Sequence, residues 1–243
     1  MGRKRVLVIT GCDEAMHSVL DLTLPSKIRY TQKYSYDFNV LRSFSSTPSL
    51  KIDSTNPIGL GFARTLYCFR MLEQYDSVMW LDGDSIITND NISIEDFITN
   101  KHTAYFSYDW PVASNGSTGH VGFSSGNFIL QLTQDTEALF KTFVQASQHF
   151  LTDHGADQAC FNAIYNQTPL RECFKILEHR YLNAVPEFIT RTKVWQSDSN
   201  RTGPNKSFTI PAPWNESCFL AHLTGCSTED RIDLLQNEFK QYL

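Results

Sequence analysis

Two carboxylates separated by one glycine, Asp82-Gly83-Asp84, form the stretch of the sequence best suited to chemistry. They follow an apolar run, Val78 to Leu81, which indicates a strand buried on both faces of a parallel sheet. Ligands of open α/β sheets bind just beyond the carboxyl ends of such strands. Two oxygen ligands at this point suit Mg²⁺ or Mn²⁺, which usually complete their coordination with phosphate oxygens. The triplet therefore predicts a metal and phosphate site, with a simple Asp-Gly turn as the alternative.

A histidine far along the chain could complete this site. His222 lies in the apolar run Phe219 to Leu223, where a lone histidine is more often a hydrogen-bonded core residue than a ligand. An imidazole together with two carboxylates is, however, a suitable set of Mn²⁺ ligands. We therefore predict that Asp82, Asp84 and His222 bind the metal.

The elements that position the acidic pair alternate between strand and helix patterns. In chain order they are a strand (Val6 to Thr10), a helix interrupted or kinked at Pro25 (Ala15 to Tyr36), a strand (Phe38 to Phe44), a loop (Ser45 to Pro57), a helix (Phe62 to Leu72) and the strand before Asp82. This alternation predicts an α/β protein with a Rossmann-like sheet, mixed but mostly parallel and flanked by helices. No G-x-G-x-x-G follows the first strand, so a dinucleotide cofactor is not expected.

Beyond residue 90 the pattern is less regular. The predicted elements are a short helix (Ile92 to Thr99), a strand (Ala104 to Tyr108), a long loop (Pro111 to Gly126), a strand (Asn127 to Leu132), two helices (Gln134 to Phe150 and Asp157 to Tyr165), a polar segment (190–217), a strand (Phe219 to Leu223) and a closing amphipathic helix. A loop as long as Pro111 to Gly126 is uncommon as a mere connection in a compact domain.

Composition narrows the classes of function. The chain has 243 residues, of which 41% are hydrophobic and 19% charged, which is typical of a globular protein. Its net charge of -5 provides no general footprint for nucleic acid, so an anionic ligand must be met by a metal or a few cations. None of the six cysteines has C-x-x-C spacing, so no zinc site is indicated.

The lack of targeting signals in the sequence favours one cellular compartment. The sequence shows no apolar run long enough for a membrane span and no signal peptide, which predicts a cytoplasmic protein. Six Asn-x-Ser/Thr sequons leave open the alternative of a lumenal domain cut from a longer Golgi protein.

Four motifs, which follow one another over most of the chain, carry a resemblance to a known family. They are Val-Met-Trp-Leu-Asp-Gly-Asp-Ser (78–85), Ser-Gly-Asn-Phe-Ile-Leu (125–130), Asp-Gln-Ala-Cys-Phe-Asn (157–162) and His-Leu-Thr-Gly-Cys (222–226). With them the chain resembles nucleotide-sugar glycosyltransferases of the GT-A fold, above all the retaining families eight and thirty-four, the glycogenin-like and galactosyl/xylosyltransferase groups.

This resemblance implies a fold and an activity. It implies a single GT-A domain over residues 1–243, with a nucleotide-binding half (1–90) and a donor-sugar and acceptor half (91–243). The implied reaction moves galactose, glucose or xylose from a UDP-sugar to a glycan or glycoprotein acceptor, with Mn²⁺ or Mg²⁺ as cofactor. The metal would stabilise the diphosphate leaving group, and a nearby carboxylate or amide oxygen would stabilise the oxocarbenium-like sugar.

The resemblance also assigns roles to individual residues. It implies that the uridine is held by Thr10, Gly11 and Cys12, that Arg64 and Gly83 lie with Asp82 at the nucleotide, that Ser125, Gly126 and Asn127 line the donor sugar, and that Gly225 lets backbone N–H groups approach the phosphates. Asp157 and Gln158 would be the catalytic residues. Arg64 could instead be an exposed helix charge, and Asp157 only a helix N-cap.

The chain departs from the family after Gly225, where these families usually present a lysine to the diphosphate. Ser227, Thr228 and Glu229 follow here. Lys206 or Arg231 would therefore have to replace that lysine, unless nothing does.

Two other classes compete with this interpretation. A haloacid dehalogenase-like phosphohydrolase would use Asp82 and Asp84, but its motif normally closes the first strand, whereas about a third of this chain precedes Asp82. No later Gly-Asp-x-x-x-Asp completes such a site. A non-catalytic carbohydrate-binding domain would not need Asp82, Asp84 and His222 together.

Overall fold

A six-stranded sheet lies at the centre of the computed structural model, which describes residues 4–42, 57–109, 122–151, 156–187, 189 and 213–243. The strands of the chain are β1 (Val6–Gly11), β2 (Asp37–Leu41), β3 (Ser77–Asp82), β4 (Ser85–Ile87), β5 (Ala104–Tyr108), β6 (Phe123–Gln131), β7 (Phe174–Leu177) and β8 (Leu220–His222). The central sheet has the order β2-β1-β3-β6-β5-β7, and β4 and β8 form a separate two-stranded sheet.

Six α-helices accompany these strands in the described part of the chain. They are α1 (His17–Tyr34), α2 (Pro57–Met71), α3 (Thr136–Ser147), α4 (Ala156–Gln167), α5 (His179–Leu182) and α6 (Thr228–Asn237). Short 3₁₀ turns occupy Glu14–Met16, Ile94–Asp96, Pro169–Cys173 and Lys240–Tyr242. None of the helices in these described ranges has both the length and the apolar character needed to cross a membrane.

The central sheet is mixed, as predicted. β1 pairs in parallel with β2 and β3, and β5 pairs in parallel with β7, whereas β6 runs antiparallel to both β3 and β5. The α/β class and the mostly parallel sheet are therefore confirmed. Because β6 is reversed, its first residues lie at the edge of the sheet where β1 and β3 end, and this brings its polar start to the acidic pair.

The apolar run before Asp82 is a strand covered on both faces. Val78 and Trp80 pack into a cluster with α2, α3 and α4, whereas Met79 and Leu81 pack into a second cluster with α1. Each of these side chains contributes about 1.5–3 kcal/mol by its burial. This burial therefore holds the end of β3, and with it the acidic pair, in a fixed position.

Several predicted boundaries were wrong. β6 begins at Phe123, so the predicted loop cannot extend to Gly126; Ser and Gly residues suggested a loop, but here they are buried in a strand. The predicted helix Ile92 to Thr99 is only the 3₁₀ turn Ile94–Asp96. α1 is not interrupted at Pro25, because the helix is continuous from His17 to Tyr34. The predicted loop Ser45 to Pro57 lies outside the described residues except for Pro57, as do residues 111–121 of the predicted loop Pro111 to Gly126 and most of segment 190–217.

Candidate active site

The acidic pair sits in a tight turn between β3 and β4. Asp82 is the last residue of β3, and Ser85 is the first of β4. A Cβ atom at Gly83 would lie 2.9 Å from the Cβ of Cys12, so the turn packs against the end of β1 only because this residue has no side chain. The Thr23 hydroxyl donates to the Gly83 carbonyl over 2.7 Å, which ties the turn to α1.

The structure brings the three predicted metal ligands together. β8 pairs with β4 so that His222 lies opposite Ser85, next to the acidic pair. One ligand atom each from Asp82, Asp84 and His222 lies within 4.8 Å of the others. His222 Nε2 is 3.4 Å from Asp84 Oδ1 and 3.9 Å from Asp82 Oδ2. Residues 140 positions apart in the sequence thus converge on one point.

The space beside these ligands is kept open by Gly126. A Cβ atom at this position would lie 2.9 Å from Asp82 Oδ2 and 3.0 Å from His222 Nε2. Both distances are too short for a side-chain atom to occupy without displacing its neighbours. A divalent cation fits this arrangement, because two carboxylates and an imidazole nitrogen are suitable ligands and Gly126 leaves space for the ion.

The two carboxylates have pKa values displaced in opposite directions. Burial raises the pKa of Asp82 above its usual range; Arg64 opposes this shift and the nearby Asp84 carboxylate adds to it. Burial would also raise the pKa of Asp84, but His222 and Arg231 hold it below its usual range. A cation placed between the two carboxylates would relieve the repulsion that Asp82 experiences.

Arg64 on α2 is a buried link between two carboxylates. Its Nε donates to Asp157 Oδ2 over 3.0 Å, Nη1 donates to Asp82, and Nη2 donates to Ser125 Oγ over 3.1 Å. Burial would lower the pKa of Arg64, but Asp157 and Asp82 hold it above its usual range. Only 15% of the side chain is exposed, so the alternative of an exposed helix charge is wrong.

Asp157 and Gln158 lie in the first turn of α4, facing the start of β6. The Asp157 carboxylate accepts hydrogen bonds from Thr65 Oγ1 over 2.9 Å and Ser125 Oγ over 3.0 Å, in addition to those from Arg64. Its contacts are to side chains of other elements, and α4 already begins at Ala156, so Asp157 is more than a helix N-cap. The Gln158 carbonyl accepts from the Ser125 N–H over 3.1 Å.

These side chains surround one cleft of about 480 Å³. The predicted residues that line it are Gly11, Cys12, Arg64, Asp82, Gly83, Asp84, Ser125, Gly126, Asp157, Gln158 and His222. Burial raises the pKa of the Cys12 thiol to about 12, which favours its protonated form.

Three predicted binding residues do not line the cleft. The Thr10 side chain is fully buried beneath it and accepts a hydrogen bond from Lys27. The Asn127 amide is buried as well: it accepts from the Asp82 N–H over 3.1 Å and donates to the Leu182 carbonyl over 3.0 Å. Their side chains support the site and do not face a ligand. Gly225 has a left-handed backbone (φ 76°) but lies outside the lining.

Lys27 is an important residue that the sequence did not reveal. Its side chain is fully buried under the acidic turn, where Nζ donates to Thr10 Oγ1 over 3.0 Å, Thr23 Oγ1 over 3.1 Å and the Asp82 carbonyl over 3.0 Å. Burial lowers the pKa of Lys27 to about 7, although Asp84 and Asp82 oppose the shift. The available signal was its spacing, since Lys27 shares a helical face with the buried residues Leu20, Thr23 and Tyr30.

Two further cleft residues come from the ends of the chain. Asp13 follows β1, and its Oδ1 is buried with no hydrogen-bond partner among the described residues. Arg231 projects from α6, and its Nε donates to Asp84 Oδ2 and to the Leu223 carbonyl, each over 3.0 Å. Arg231 was one of the two candidates for the missing lysine; Lys206 lies outside the described residues.

Several solved structures that share this architecture are glycosyltransferases. A glycosyltransferase involved in the glycosylation of the major capsid of PBCV-1 shares 14% identity over 96% of this chain and 98% of its own, with a TM-score of 0.62. The galactosyltransferase LgtC, solved with donor and acceptor sugar analogs, shares 14% identity over 98% of this chain and all of its own (100%), with a TM-score of 0.56. Mouse xyloside xylosyltransferase 1 shares 12% identity over 91% of this chain and 98% of its own, with a TM-score of 0.54.

At these identities the likeness concerns the fold, and the predicted GT-A fold is confirmed. By sequence, neither a protein-family model nor a curated protein matches the chain.

Proposed function

We propose that this protein is a metal-dependent glycosyltransferase that moves a sugar of the galactose, glucose or xylose type from a UDP-sugar to a glycan or glycoprotein acceptor. The observation that carries this proposal is the convergence of Asp82, Asp84 and His222 at the sheet edge of a glycosyltransferase fold. The two halves of the chain, 1–90 and 91–243, would bind the nucleotide and the sugar with its acceptor. The proposed metal site would lie where the two halves meet, because Asp82 and Asp84 come from the first half and His222 from the second.

The metal site has a defined chemical role in this proposal. Asp82, Asp84 and His222 would hold Mn²⁺ or Mg²⁺, which supplies positive charge to the departing diphosphate without any proton transfer. Arg231, bonded to Asp84 at the cleft wall, is the described cation best placed to take over the role of the family's lysine. Arg64 would act less directly, because its guanidinium already holds Asp82 and Asp157.

The uridine end of the donor would lie where β1 ends. Gly11, Cys12 and Asp13 line the cleft there. Because the Thr10 hydroxyl is occupied by Lys27, any contact from Thr10 would have to come from its backbone. Asp13 lines the cleft at this point, and a carboxylate there is an acceptor of the kind that an N–H or O–H group of the nucleoside needs.

The sugar would lie between the start of β6 and α4. Ser125 and Gln158 line this part of the cleft, and the Asp157 carboxylate is fixed by Arg64, Thr65 and Ser125. Gln158 and Asp157 would stabilise positive charge on the sugar with oxygen atoms held in place. Both Asp157 oxygens already accept hydrogen bonds, which suits charge stabilisation better than proton abstraction. We propose a retaining outcome, as the families that the sequence resembles imply.

A phosphohydrolase would require Asp82 or Asp84 as a nucleophile. Asp82 Oδ1 accepts from Arg64 and, over 2.7 Å, from Trp80 Nε1. Asp84 Oδ2 accepts from Arg231 over 3.0 Å. The remaining oxygens, Asp82 Oδ2 and Asp84 Oδ1, lie 3.9 Å and 3.4 Å from His222 Nε2, which suits a shared metal ion. The acidic pair also closes β3 and not the first strand of the chain, so the transferase is the better explanation of the site.

A donor screen tests the proposal. Calorimetry and mass spectrometry would compare UDP-galactose, UDP-glucose and UDP-xylose with GDP- and dTDP-sugars, each with Mn²⁺ and with EDTA. We expect binding of UDP-sugars that requires the metal and that is lost in Asp84→Asn. Asp90→Asn is the matched control, since Asp90 is an exposed carboxylate paired with Lys33. UDP-sugar binding that is equally strong in EDTA would contradict a metal-dependent transferase.

A further inference from the structure

The side of His222 that faces away from the carboxylates is bonded to Asn183. His222 Nδ1 lies 2.8 Å from Asn183 Oδ1, and both side chains are buried, with 3% and 1% exposed. Asn183 follows α5 directly, and its Nδ2 donates to the Tyr108 carbonyl over 2.9 Å. The amide therefore spans the gap between the end of β5 and the imidazole of β8.

The Tyr108 carbonyl determines which way the amide points. A carbonyl oxygen can only accept a hydrogen bond, so the Asn183 atom facing it must be the NH₂ group. The other amide atom, which faces His222 Nδ1, is then the oxygen, and it can only accept. Nδ1 therefore carries the hydrogen in the neutral ring.

A neutral imidazole has one N–H, so a hydrogen on Nδ1 leaves Nε2 with its lone pair. Nε2 is the atom that lies 3.4 Å from Asp84 Oδ1 and beside the space kept open by Gly126. In the opposite tautomer an N–H would point into that space and exclude a metal ion.

We propose that Asn183 is a positioning residue that fixes the tautomer and ring orientation of His222, so that Nε2 is the ligand atom. This inference rests on the proposed metal-dependent function and adds a residue that none of the sequence motifs contains. Partners of this kind are worth about 10–100-fold in metal affinity.

The tautomer can be measured in the unaltered protein. ¹⁵N NMR of histidine-labelled metal-free protein at mildly alkaline pH would identify His222 by the signal that His222→Gln removes. We expect Nδ1 to carry the hydrogen and Nε2 to have none. A spectrum with the hydrogen on Nε2 overturns the inference, and it does so without any variant of Asn183.

Variants then test the consequence for the metal. Asn183→Ala should weaken Mn²⁺ binding about 10–100-fold and mix the tautomers. Asn183→Asp keeps an acceptor for Nδ1 but loses the donor to the Tyr108 carbonyl, so it should retain more of the affinity than Asn183→Ala and melt at a lower temperature than the unaltered protein. Asn162→Ala is the matched control: Asn162 also bonds to backbone groups, at Phe123, so its loss should lower thermal stability but leave Mn²⁺ affinity unchanged.

The outcomes separate this inference from the proposed function. If the unaltered protein binds no Mn²⁺, the proposed function fails. If it binds Mn²⁺ and Asn183→Ala binds it equally well, only the role of Asn183 is wrong. If Asn183→Ala does not fold, Asn183→Asp and the NMR measurement still show whether Asn183 fixes the tautomer of His222.

Discussion

Gly126 lies so close to His222 that any Cβ atom at position 126 would be 3.0 Å from Nε2, the proposed ligand nitrogen. The two residues come from β6 and β8, which belong to different sheets. The site therefore depends on the lack of a side chain at Gly126 as much as on the three proposed ligands. The resemblance assigned Gly126 to the donor sugar, and its position indicates a second role beside the proposed metal ion.

We predict that Gly126→Ala loses metal binding. The added methyl group would occupy the space between Asp82 Oδ2 and His222 Nε2, so the ligands could not close on one ion. Mn²⁺ titration followed by electron paramagnetic resonance should show at least a roughly tenfold loss of affinity, or about 1.4 kcal/mol. Gly122→Ala is the control, because a Cβ there meets nothing within 4 Å. Equal Mn²⁺ affinity in both variants would show that Gly126 is not needed at the metal site.

Lys27→Met should weaken the metal site more than it weakens the fold. The substitution removes the Nζ hydrogen bonds to Thr10, Thr23 and the Asp82 carbonyl, but it also removes the cost of burying an ammonium group. We therefore expect the free energy of unfolding of the metal-free protein to change by no more than about 2 kcal/mol.

Mn²⁺-dependent UDP binding should meanwhile fall, because the acidic turn loses its support. Calorimetry and thermal melting of the same sample measure both effects. Lys33→Met, an exposed lysine of the same helix, should alter neither. Unfolding of Lys27→Met with normal affinity in the folded fraction would make Lys27 purely structural.

Arg231→Gln should weaken the binding of UDP but not the binding of uridine. Arg231 faces the cleft beside Asp84, where a diphosphate would lie, and uridine lacks that group. A loss of about tenfold or more is expected for UDP, which corresponds to ~1.4 kcal/mol or more. Arg231→Lys should restore part of the affinity. Arg29→Ala is the control, since Arg29 bonds to the chain end at Leu243 and does not line the cleft. Parallel losses for both ligands would indicate a general change in the cleft.

Gln158→Ala should lower turnover while UDP affinity stays nearly constant. Gln158 bonds to the start of β6 at Ser125 and to Asp109 at the end of β5, away from the strand ends proposed to hold the uridine. We expect kcat to fall about tenfold or more, a rise of at least ~1.4 kcal/mol in the barrier. Steady-state kinetics and UDP calorimetry check this, with Gln134→Ala, outside the cleft lining, as control. Similar losses in kcat and UDP affinity would place Gln158 at the nucleotide.

Asp157→Asn should differ from Gln158→Ala by also lowering stability. The Asp157 carboxylate is only 4% exposed and compensates the buried Arg64 guanidinium. Breaking an isolated buried pair by neutralising one partner costs about 3–5 kcal/mol, and the loss here should be smaller because Arg64 keeps Asp82 as a partner. Thermal melting in the metal-free state measures this loss, and a melting curve unchanged from the unaltered protein would show that Arg64 does not depend on Asp157.

Local patterns in the sequence were sufficient for the fold class and for the acidic pair. Val78 to Leu81 are apolar at every position because β3 is central and covered on both faces, and a turn with two carboxylates follows at once. The alternation of strands and helices before residue 90 likewise depends on contacts close in sequence. The start of β6 was missed because Ser124, Ser125 and Gly126 have the composition of a loop.

Only the tertiary structure decided how the site is assembled. Arg64 meets Asp157, Gly126 meets His222, and Asn183 turns the imidazole toward the carboxylates, although each pair is far apart in sequence. Lys27 carries the residue type of a surface position, yet it lies under the acidic turn. Such relationships depend on strand order, register and the packing of α1 against the sheet edge. A residue's type and its near neighbours do not encode them, because hydrogen bonds and excluded volume act between whichever groups the fold brings within a few ångströms.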